Sequence, residues 1–369
     1  MGFRLPNGED LSVEQLDIIN LPTTQNWVIE GAPGTGKTVM SIYRAEQARS
    51  VSKNKPVLLL VYNRPLCDFI STAIVINRSR NVQVATYDSW MNEIYKEHDL
   101  GLVPRVNRII DWQDFSIQRL SGIGRKYSHV IIDEAQDFPR ELLEILAKIS
   151  DTMTCFIDPN QAIEIRKTDV IDVIKSLCVE SKYKLTKNFR NTQPIRNLSS
   201  LYCTDGEPAL SSIPGRKPSI IKCISGTFVD QNRKMAEIIL RNREKDIGII
   251  VNSRSLNKTY DSMREILPSD LVVQMHKPNT SHRIDFDRPG VKIMTYGTMK
   301  GLEFDVVLLP SFDKIKTEDG GKVDCNRVYV AISRAVSELY LFYWDEYQNE
   351  RWISSMEALT ENRDLLEWR

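Results

Sequence analysis

The sequence has no excess charge of either sign: Lys+Arg and Asp+Glu each number 49 among 369 residues. That balance argues against a protein that coats nucleic acid through a global basic field, although one that grips a few phosphates in a groove needs no such field. There is no run of roughly 18 apolar residues, so no membrane-spanning helix is expected. The opening Met1-Gly-Phe-Arg-Leu-Pro6 lacks the apolar centre of a signal peptide. Pro6 also stands where an N-myristoylation signal needs Ser or Thr. The expectation is a cytoplasmic protein with no membrane partner. Six cysteines (Cys67, Cys155, Cys178, Cys203, Cys223 and Cys325) are scattered, with no C-x-x-C and no histidine pair nearby. They read as reduced thiols, which leaves neither a disulfide frame nor a zinc site. Low-complexity tracts and internal repeats are missing too. What remains is a globular composition, 41% apolar and 27% charged, in a chain long enough for two domains.

Against this background one stretch stands out. Gly31-Ala-Pro-Gly-Thr-Gly-Lys-Thr38 fits G-x-x-x-x-G-K-[ST], the phosphate-binding loop. Asn26-Trp-Val-Ile-Glu30 before it reads as a short strand. After it, Val39, Met40, Ile42, Tyr43 and Ala45 recur at helical spacing through about Ser50. A strand, a glycine-rich turn and a helix set backbone N–H groups and a helix N-terminus around an anion. Gly31, Ala32, Pro33, Gly34, Thr35 and Gly36 would form the cradle. Lys37 can reach the β/γ-phosphates, and the Thr38 hydroxyl can ligate Mg²⁺. A nucleoside triphosphate is the expected ligand.

A second signal is Val130-Ile-Ile-Asp-Glu-Ala-Gln-Asp137. Its β-branched run delivers Asp133 and Glu134 to the carboxyl end of a strand, where open α/β sheets place their ligands. Asp133 can hold Mg²⁺ through its shell, and Glu134 can orient and deprotonate an attacking water. Upstream, Gln15 has two readings: it closes a capping box with Ser12, or it hydrogen-bonds an adenine edge. Gln161, after the strand-like Met153–Asp158, is either a γ-phosphate sensor or a turn residue. Pro56–Tyr62 reads as a strand buried on both faces. Val82–Thr86 reads as another, leading into a helix that carries Trp90, Met91, Ile94 and Tyr95. Between Leu100 and Lys126, Arg105, Arg108, Arg119, Arg125 and Lys126 stand against Asp111 and Asp114, with Trp112 and Phe115 between them. That segment is a solvated surface insertion or a face for single-stranded nucleic acid.

Around residues 180–185 the chain is expected to change domain, dividing into 1–181 and 182–369, with Lys182–Leu185 opening the second part. Beyond it, strand-like runs at 220–223, 247–251, 272–275, 291–296 and 306–309 alternate with helix-like runs at 229–242, 255–266 and 324–335. That alternation predicts a second parallel-sheet domain, without a phosphate loop of its own.

In this order the motifs resemble those of the superfamily 1 helicases of the UvrD/Rep type, over about residues 11–343. The resemblance implies an α/β chain of two RecA-like P-loop NTPase domains with parallel sheets and ATP in the cleft between them. It implies adenine reading by Gln15 and a third motif at Asp158-Pro-Asn-Gln161. Asn188-Phe-Arg190 is similar to the family's Asn-Tyr-Arg, which implies stacking of Phe189 on adenine and Arg190 at the γ-phosphate. Thr295-Tyr-Gly-Thr-Met-Lys-Gly-Leu-Glu-Phe304 resembles the fifth motif, which implies a ribose contact for Glu303. Tyr329-Val-Ala-Ile-Ser-Arg-Ala335 resembles the sixth, which implies an arginine finger at Arg334, a device worth roughly 10³–10⁵ in rate. Leu58–Asn63 and Thr86–Trp90 resemble the segments that touch the DNA strand. With the fifth motif they give Tyr62, Asn63, Thr86, Trp90 and Thr295 as nucleic-acid contacts.

The sequence also departs from that family. The spacings from Asn63 to Asp133 and from Arg190 to Thr295 leave room for at most a small first insertion and no sizeable second one. Ala162-Ile-Glu-Ile-Arg166 stands where the third motif continues into base-stacking aromatics, and Gly297 and Asp88 stand where the family has histidines. The nucleotide half of the machine is complete and the strand-binding half is eroded. The implied function is an ATP-dependent, Mg²⁺-requiring helicase or translocase on single-stranded DNA, with 3′→5′ polarity by resemblance. The alternative is an ATPase switch whose domain closure regulates a partner such as a nuclease or effector, with little or no unwinding. An RNA strand in place of DNA is a third option. Asp345–Arg369, with Trp352, Met356, Leu359 and Leu366 at helical spacing, is expected to form an amphipathic helix that packs on the second domain or docks a partner.

Overall fold

Parallel strands cannot be joined by tight hairpins, so strand-like runs that alternate with amphipathic helices must form crossover units. The computed structural model describes residues 6–52, 54–62, 64, 66–68, 70–71, 81–106, 109–111, 123–158, 174, 182–203, 209–223, 228–276, 284–285, 288–315, 325–344 and 353–369. It holds two such parallel sheets, as the alternation predicted. The chain divides into two compact units. One holds Gly36–Leu185 and the stretch that ends at Gly31; the other holds Thr186–Arg369 together with the loop tip Ala32–Thr35.

In the first unit, helix α1 (Val13–Asn20) precedes β1 (Trp27–Gly31), α2 (Lys37–Val51), β2 (Val57–Val61), β3 (Val82–Thr86) and α3 (Tyr87–Glu97). A short antiparallel pair, β4 (Arg105–Val106) and β5 (Ile109–Ile110), leads to β6 (Tyr127–Ile132), α4 (Arg140–Ile149), β7 (Ser150–Ile157) and β8 (Lys182–Leu185). The six-stranded sheet runs β3-β2-β6-β7-β1-β8, every pair parallel. Val57-Leu-Leu-Leu-Val61 is fully buried, as a strand covered on both faces requires. Lys182–Leu185 does not open the second domain. It pairs with β1, Val28 against Lys182 and Gly31 against Leu185, and closes the outer side of β1. The boundary therefore falls after Leu185, four residues beyond the expected one. In the Leu100–Lys126 segment, Arg105 pairs with Asp88 at 2.8 Å, Lys126 with Glu97, and Arg125 with Asp151 at 3.9 Å. Those charges are matched within the unit, which fits the surface-insertion reading; Arg108, Trp112, Phe115 and Arg119 lie outside the described residues.

The second unit runs α5 (Gln193–Ser200), β9 (Ser219–Cys223), α6 (Phe228–Arg241), β10 (Asp246–Val251), α7 (Leu256–Ile266), β11 (Val273–Met275), β12 (Gly290–Thr295) and β13 (Phe304–Leu309). It ends with α8 (Cys325–Ile332), β14 (Ala335–Trp344), α9 (Ile353–Glu361) and β15 (Glu367–Trp368). Its seven-stranded parallel sheet is ordered β11-β12-β10-β13-β14-β9-β15. The ten-residue β14 was not expected, and the helix before it ends at Ile332 instead of continuing to 335. The C-terminal segment is a helix followed by a strand, not one amphipathic helix. Met356, Leu359 and Leu366 are buried in their own unit, and Glu367 pairs with Ser219. Trp352 lies outside the described residues.

One turn occurs in both units. After β6, Glu134 takes a left-handed conformation (φ 54°, ψ 47°) ahead of the 3-10 turn Ala135–Asp137. After β13, Ser311 does the same (φ 54°, ψ 43°) ahead of Phe312–Lys314. The first turn carries the adjacent carboxylates Asp133 and Glu134; at the matching positions the second carries Pro310 and Ser311, with a single carboxylate, Asp313, within the turn. Among the described residues no helix is long and apolar enough to cross a membrane.

Candidate nucleotide site

The strand order puts β1 beside β7, and β7 beside β6, so the loops at their carboxyl ends are neighbours. Gly34 (φ +78°) and Gly36 (φ +90°) take left-handed conformations that let the loop after β1 curl back. Lys37 is the first residue of α2 and is buried. Its Nζ donates to the Gly31 carbonyl at 2.8 Å and lies 3.7 Å from Asp158 Oδ2 at the end of β7. Thr38 Oγ1 donates to Asp133 Oδ2 at 2.7 Å across the end of β6.

Asp133 is fully buried, and its Oδ1 has no hydrogen-bond partner among the described residues. Burial, and then the Glu134 charge beside it, push this carboxyl well above the usual carboxylate range, against the pull of Thr38 and Lys37. A buried oxygen with no donor is costly unless something else satisfies it. A hydroxyl and a carboxylate oxygen held together are suitable oxygen donors for Mg²⁺, so Thr38 and Asp133 fit that ion. Among the described residues no cluster of three or more His, Cys, Asp or Glu could hold another metal.

Glu134 is buried in its left-handed conformation, which costs a residue with a Cβ about 1–2 kcal/mol. Gln136 Nε2 donates to Glu134 Oε2 at 2.6 Å, and Gln136 Oε1 accepts from the Asp158 N–H at 3.1 Å. Gln136 thus ties the carboxylate after β6 to the loop after β7. Sequence reasoning passed over it because its partner lies on a neighbouring strand. The expected sensor Gln161 lies outside the described residues. Gln15 closes the capping box, with Ser12 N–H donating to its Oε1 at 3.0 Å. The other end of the same amide meets the phosphate loop: a Cβ added at Gly36 would sit 2.6 Å from Gln15 Nε2. Capping the helix and standing beside the glycine loop after β1 are therefore not exclusive.

In the second unit, Asn188 reaches the loop tip. Its Nδ2 donates to the Pro33 carbonyl at 3.1 Å, and the Phe189 N–H donates to the Gly34 carbonyl at 2.8 Å. The Phe189 ring is 46% exposed, open to a stacking partner. Arg190 Nε donates to Glu303 Oε2 at 2.6 Å, so the two residues expected at the γ-phosphate and the ribose meet each other. Arg334 is buried: its Nε donates to Val330 O at 3.0 Å and its Nη1 to Leu302 O at 3.2 Å.

The expected nucleic-acid contacts fare differently. Trp90 is wholly buried on the inner face of α3, with Nε1 donating to the Tyr127 hydroxyl at 2.9 Å. It is a core residue and presents no face to a strand, which corrects that expectation. Thr86 is the N-cap of α3, its Oγ1 accepting from Ser89 N–H at 3.2 Å, and Thr295 is buried with its hydroxyl 3.1 Å from Thr298 Oγ1. Tyr62 is half-buried at the end of β2, and Asn63 lies outside the described residues. Val61 pairs with Thr86, which brings Tyr87 beside Tyr62 with ring centroids 6.3 Å apart. Tyr87 lies within the expected segment Thr86–Trp90 without being singled out there, and the strand register sets it beside Tyr62.

The model of the Schlafen group 3 DNA/RNA helicase domain matches residues 24–206, just under half of the chain. The chain is 25% identical over 244 residues to an Acanthamoeba polyphaga mimivirus protein provisionally named an ATP-dependent DNA helicase. That match takes in 58% of this chain and 34% of the relative, so the chain spans about a third of the relative's length. Among solved structures, the C-terminal domain of a possible DNA helicase from Lactobacillus plantarum matches 48% of this chain and 97% of its own, at 20% identity and a TM-score of 0.35. The Arterivirus nonstructural protein 10 helicase matches 91% and 62%, at 15% identity and a TM-score of 0.44. The chain carries a helicase-like domain.

Proposed function

We propose that the protein is an ATP-dependent motor of the superfamily 1 kind, of the UvrD/Rep type, that requires Mg²⁺ and acts on single-stranded DNA. One observation carries this reading: the Thr38–Asp133 hydrogen bond beside a buried Asp133 oxygen that has no partner among the described residues, with Lys37 and Glu134 next to it. The loop N–H groups and Lys37 bind the β- and γ-phosphates, and Thr38 and Asp133 hold the Mg²⁺. The ion neutralises charge on the phosphate oxygens when bound. Glu134, fixed by Gln136, orients a water and takes its proton as the water oxygen attacks phosphorus and the β–γ bridging oxygen leaves. Arg190 and Arg334 stabilise the charge that builds on the transferred phosphoryl group, and Glu303 is released to the ribose. Phe189 stacks on the adenine that Gln15 reads. Tyr62 and Tyr87 supply the surface on which bases stack.

A second reading is favoured by the burial of Trp90, Thr86 and Thr295. With three of five expected strand contacts turned inward, the chain fits an ATPase switch that signals to a protein partner such as a nuclease. Steady-state ATP hydrolysis with and without single-stranded DNA or RNA separates the two, with Lys37→Ala as the blank. Strong stimulation by DNA supports the motor, and stimulation by RNA alone would change its strand. Hydrolysis indifferent to both would sink the motor reading and leave the switch.

A further inference from the structure

Asn188 and Asn191 form a buried hydrogen-bonded pair in which every side-chain polar atom is used. Asn188 Nδ2 donates to Asn191 Oδ1 at 2.8 Å as well as to the Pro33 carbonyl. Asn188 Oδ1 accepts from the N–H groups of Arg190 at 2.9 Å and Asn191 at 3.0 Å. Asn191 Nδ2 donates to the carbonyls of Ser333 at 2.9 Å and Ala335 at 2.6 Å, the residues on either side of Arg334. The Asn191 carbonyl accepts from Ser211 Oγ at 2.6 Å, and both asparagines are at most 8% exposed. Two further main-chain bonds pin the same segments: Thr192 N–H to Val336 O at 3.2 Å and Phe304 N–H to Arg334 O at 3.0 Å.

We propose that Asn191 is a positioning residue that fastens the Arg190 and Arg334 segments into one frame, and that Asn188 connects this frame to the phosphate-loop tip. The proposal rests on the reading of Arg190 and Arg334 as γ-phosphate groups. The physical argument is geometric. A primary amide is the side chain that can accept from one donor and at the same time give two N–H bonds to carbonyls flanking a single residue. Low exposure makes each of those bonds expensive to leave unmade. The two arginines come from segments far apart in sequence, and hydrolysis needs both at one phosphoryl group. Without the amide bridge the Thr192 N–H to Val336 O bond alone still joins the two segments, and a misplacement of about 1 Å is enough to cost roughly 100-fold in rate.

The test is a double-mutant cycle in ATP hydrolysis with Asn191→Ala, Arg334→Ala and the double variant. Asn191→Asp serves as a second variant that keeps the volume and turns an oxygen toward the Ser333 and Ala335 carbonyls. Expected is a fall in kcat of about 10- to 100-fold for Asn191→Ala with the KM for ATP within about twofold. In the Arg334→Ala background the same change should have little further effect. Amide exchange should rise together in peptides covering 188–192 and 333–336 and stay unchanged across β10. Multiplication of the two kcat losses, or a wild-type kcat in both Asn191 variants, overturns the proposal while the ATPase reading stands. Arg334→Ala hydrolysing at the wild-type rate sinks the arginine reading and this proposal together.

Discussion

Two glycines of the loop after β1 take similar left-handed conformations and meet different neighbours, which allows a controlled perturbation. Alanine at Gly34 (φ +78°) or Gly36 (φ +90°) costs about 1–2 kcal/mol for the left-handed conformation alone. At Gly34 the new methyl would fall on Asn188, 2.8 Å from Cγ and 2.9 Å from Nδ2. The carboxamide has to move, and its four hydrogen bonds are at risk. At about 1 kcal/mol net per bond, added to the conformational cost, the total is roughly 5–6 kcal/mol. At Gly36 the methyl meets only Gln15 Nε2, the far end of a flexible side chain. Losing the Gln15 half of the capping box adds about 1 kcal/mol, for roughly 2–3 kcal/mol in total. Thermal unfolding should therefore fall by on the order of 10 °C or more in the unit that holds Asn188 for Gly34→Ala, and by about half that for Gly36→Ala. The kinetic signatures should differ as well. Gly34→Ala should lower kcat through the asparagine frame, and Gly36→Ala should narrow the preference for ATP over GTP by displacing Gln15. Equal effects of the two alanines, or a larger loss at Gly36, would refute the reasoning.

Further outcomes can be checked with the same preparation. Phe189→Ala should weaken ATP binding by about 1–3 kcal/mol without lowering the unfolding midpoint, because the ring is half-exposed; nucleotide titration beside a melting curve decides it. Asp133→Asn should abolish Mg²⁺-dependent hydrolysis and raise the midpoint measured without nucleotide, since it removes a charge from a site that disfavours it. A lower midpoint at pH 8 would contradict that. His129 is buried between Thr152 Oγ1 at 2.6 Å and Thr154 Oγ1 at 2.8 Å, and burial brings its pKa down to about 3. Its folded value lies below the unfolded 6.5, so its contribution is complete above pH 6.5 and is lost as the pH falls. At pH 5.5 the loss should be about 1.4 kcal/mol relative to pH 8, and a His129→Gln variant should show a flatter dependence in urea titrations. Trp90→Phe should destabilise by about 1–3 kcal/mol and leave the response to single-stranded DNA unchanged; a loss of DNA response at unchanged stability would return Trp90 to the strand face.

Much of this protein was legible in the chain alone, wherever chemistry and local geometry are set by contiguous residues. Gly31–Thr38 was expected to turn between a strand and a helix, and β1, the left-handed Gly34 and Gly36, and α2 follow one another there. Asp133 and Glu134 had to stand at a strand end because an apolar run precedes them. The alternation of strand-like and helix-like runs sufficed for two parallel sheets. Strand pairing, by contrast, is decided between residues far apart, and no local pattern encodes it. Only the tertiary structure could assign Lys182–Leu185 to the first sheet, set Tyr87 beside Tyr62, and turn Trp90 into the core. The same holds for bonds made across strands and between distant segments. Gln136 meets Asp158, Arg190 meets Glu303, and Asn191 holds both sides of Arg334, because folding brought their backbones within reach of one amide or one carboxylate.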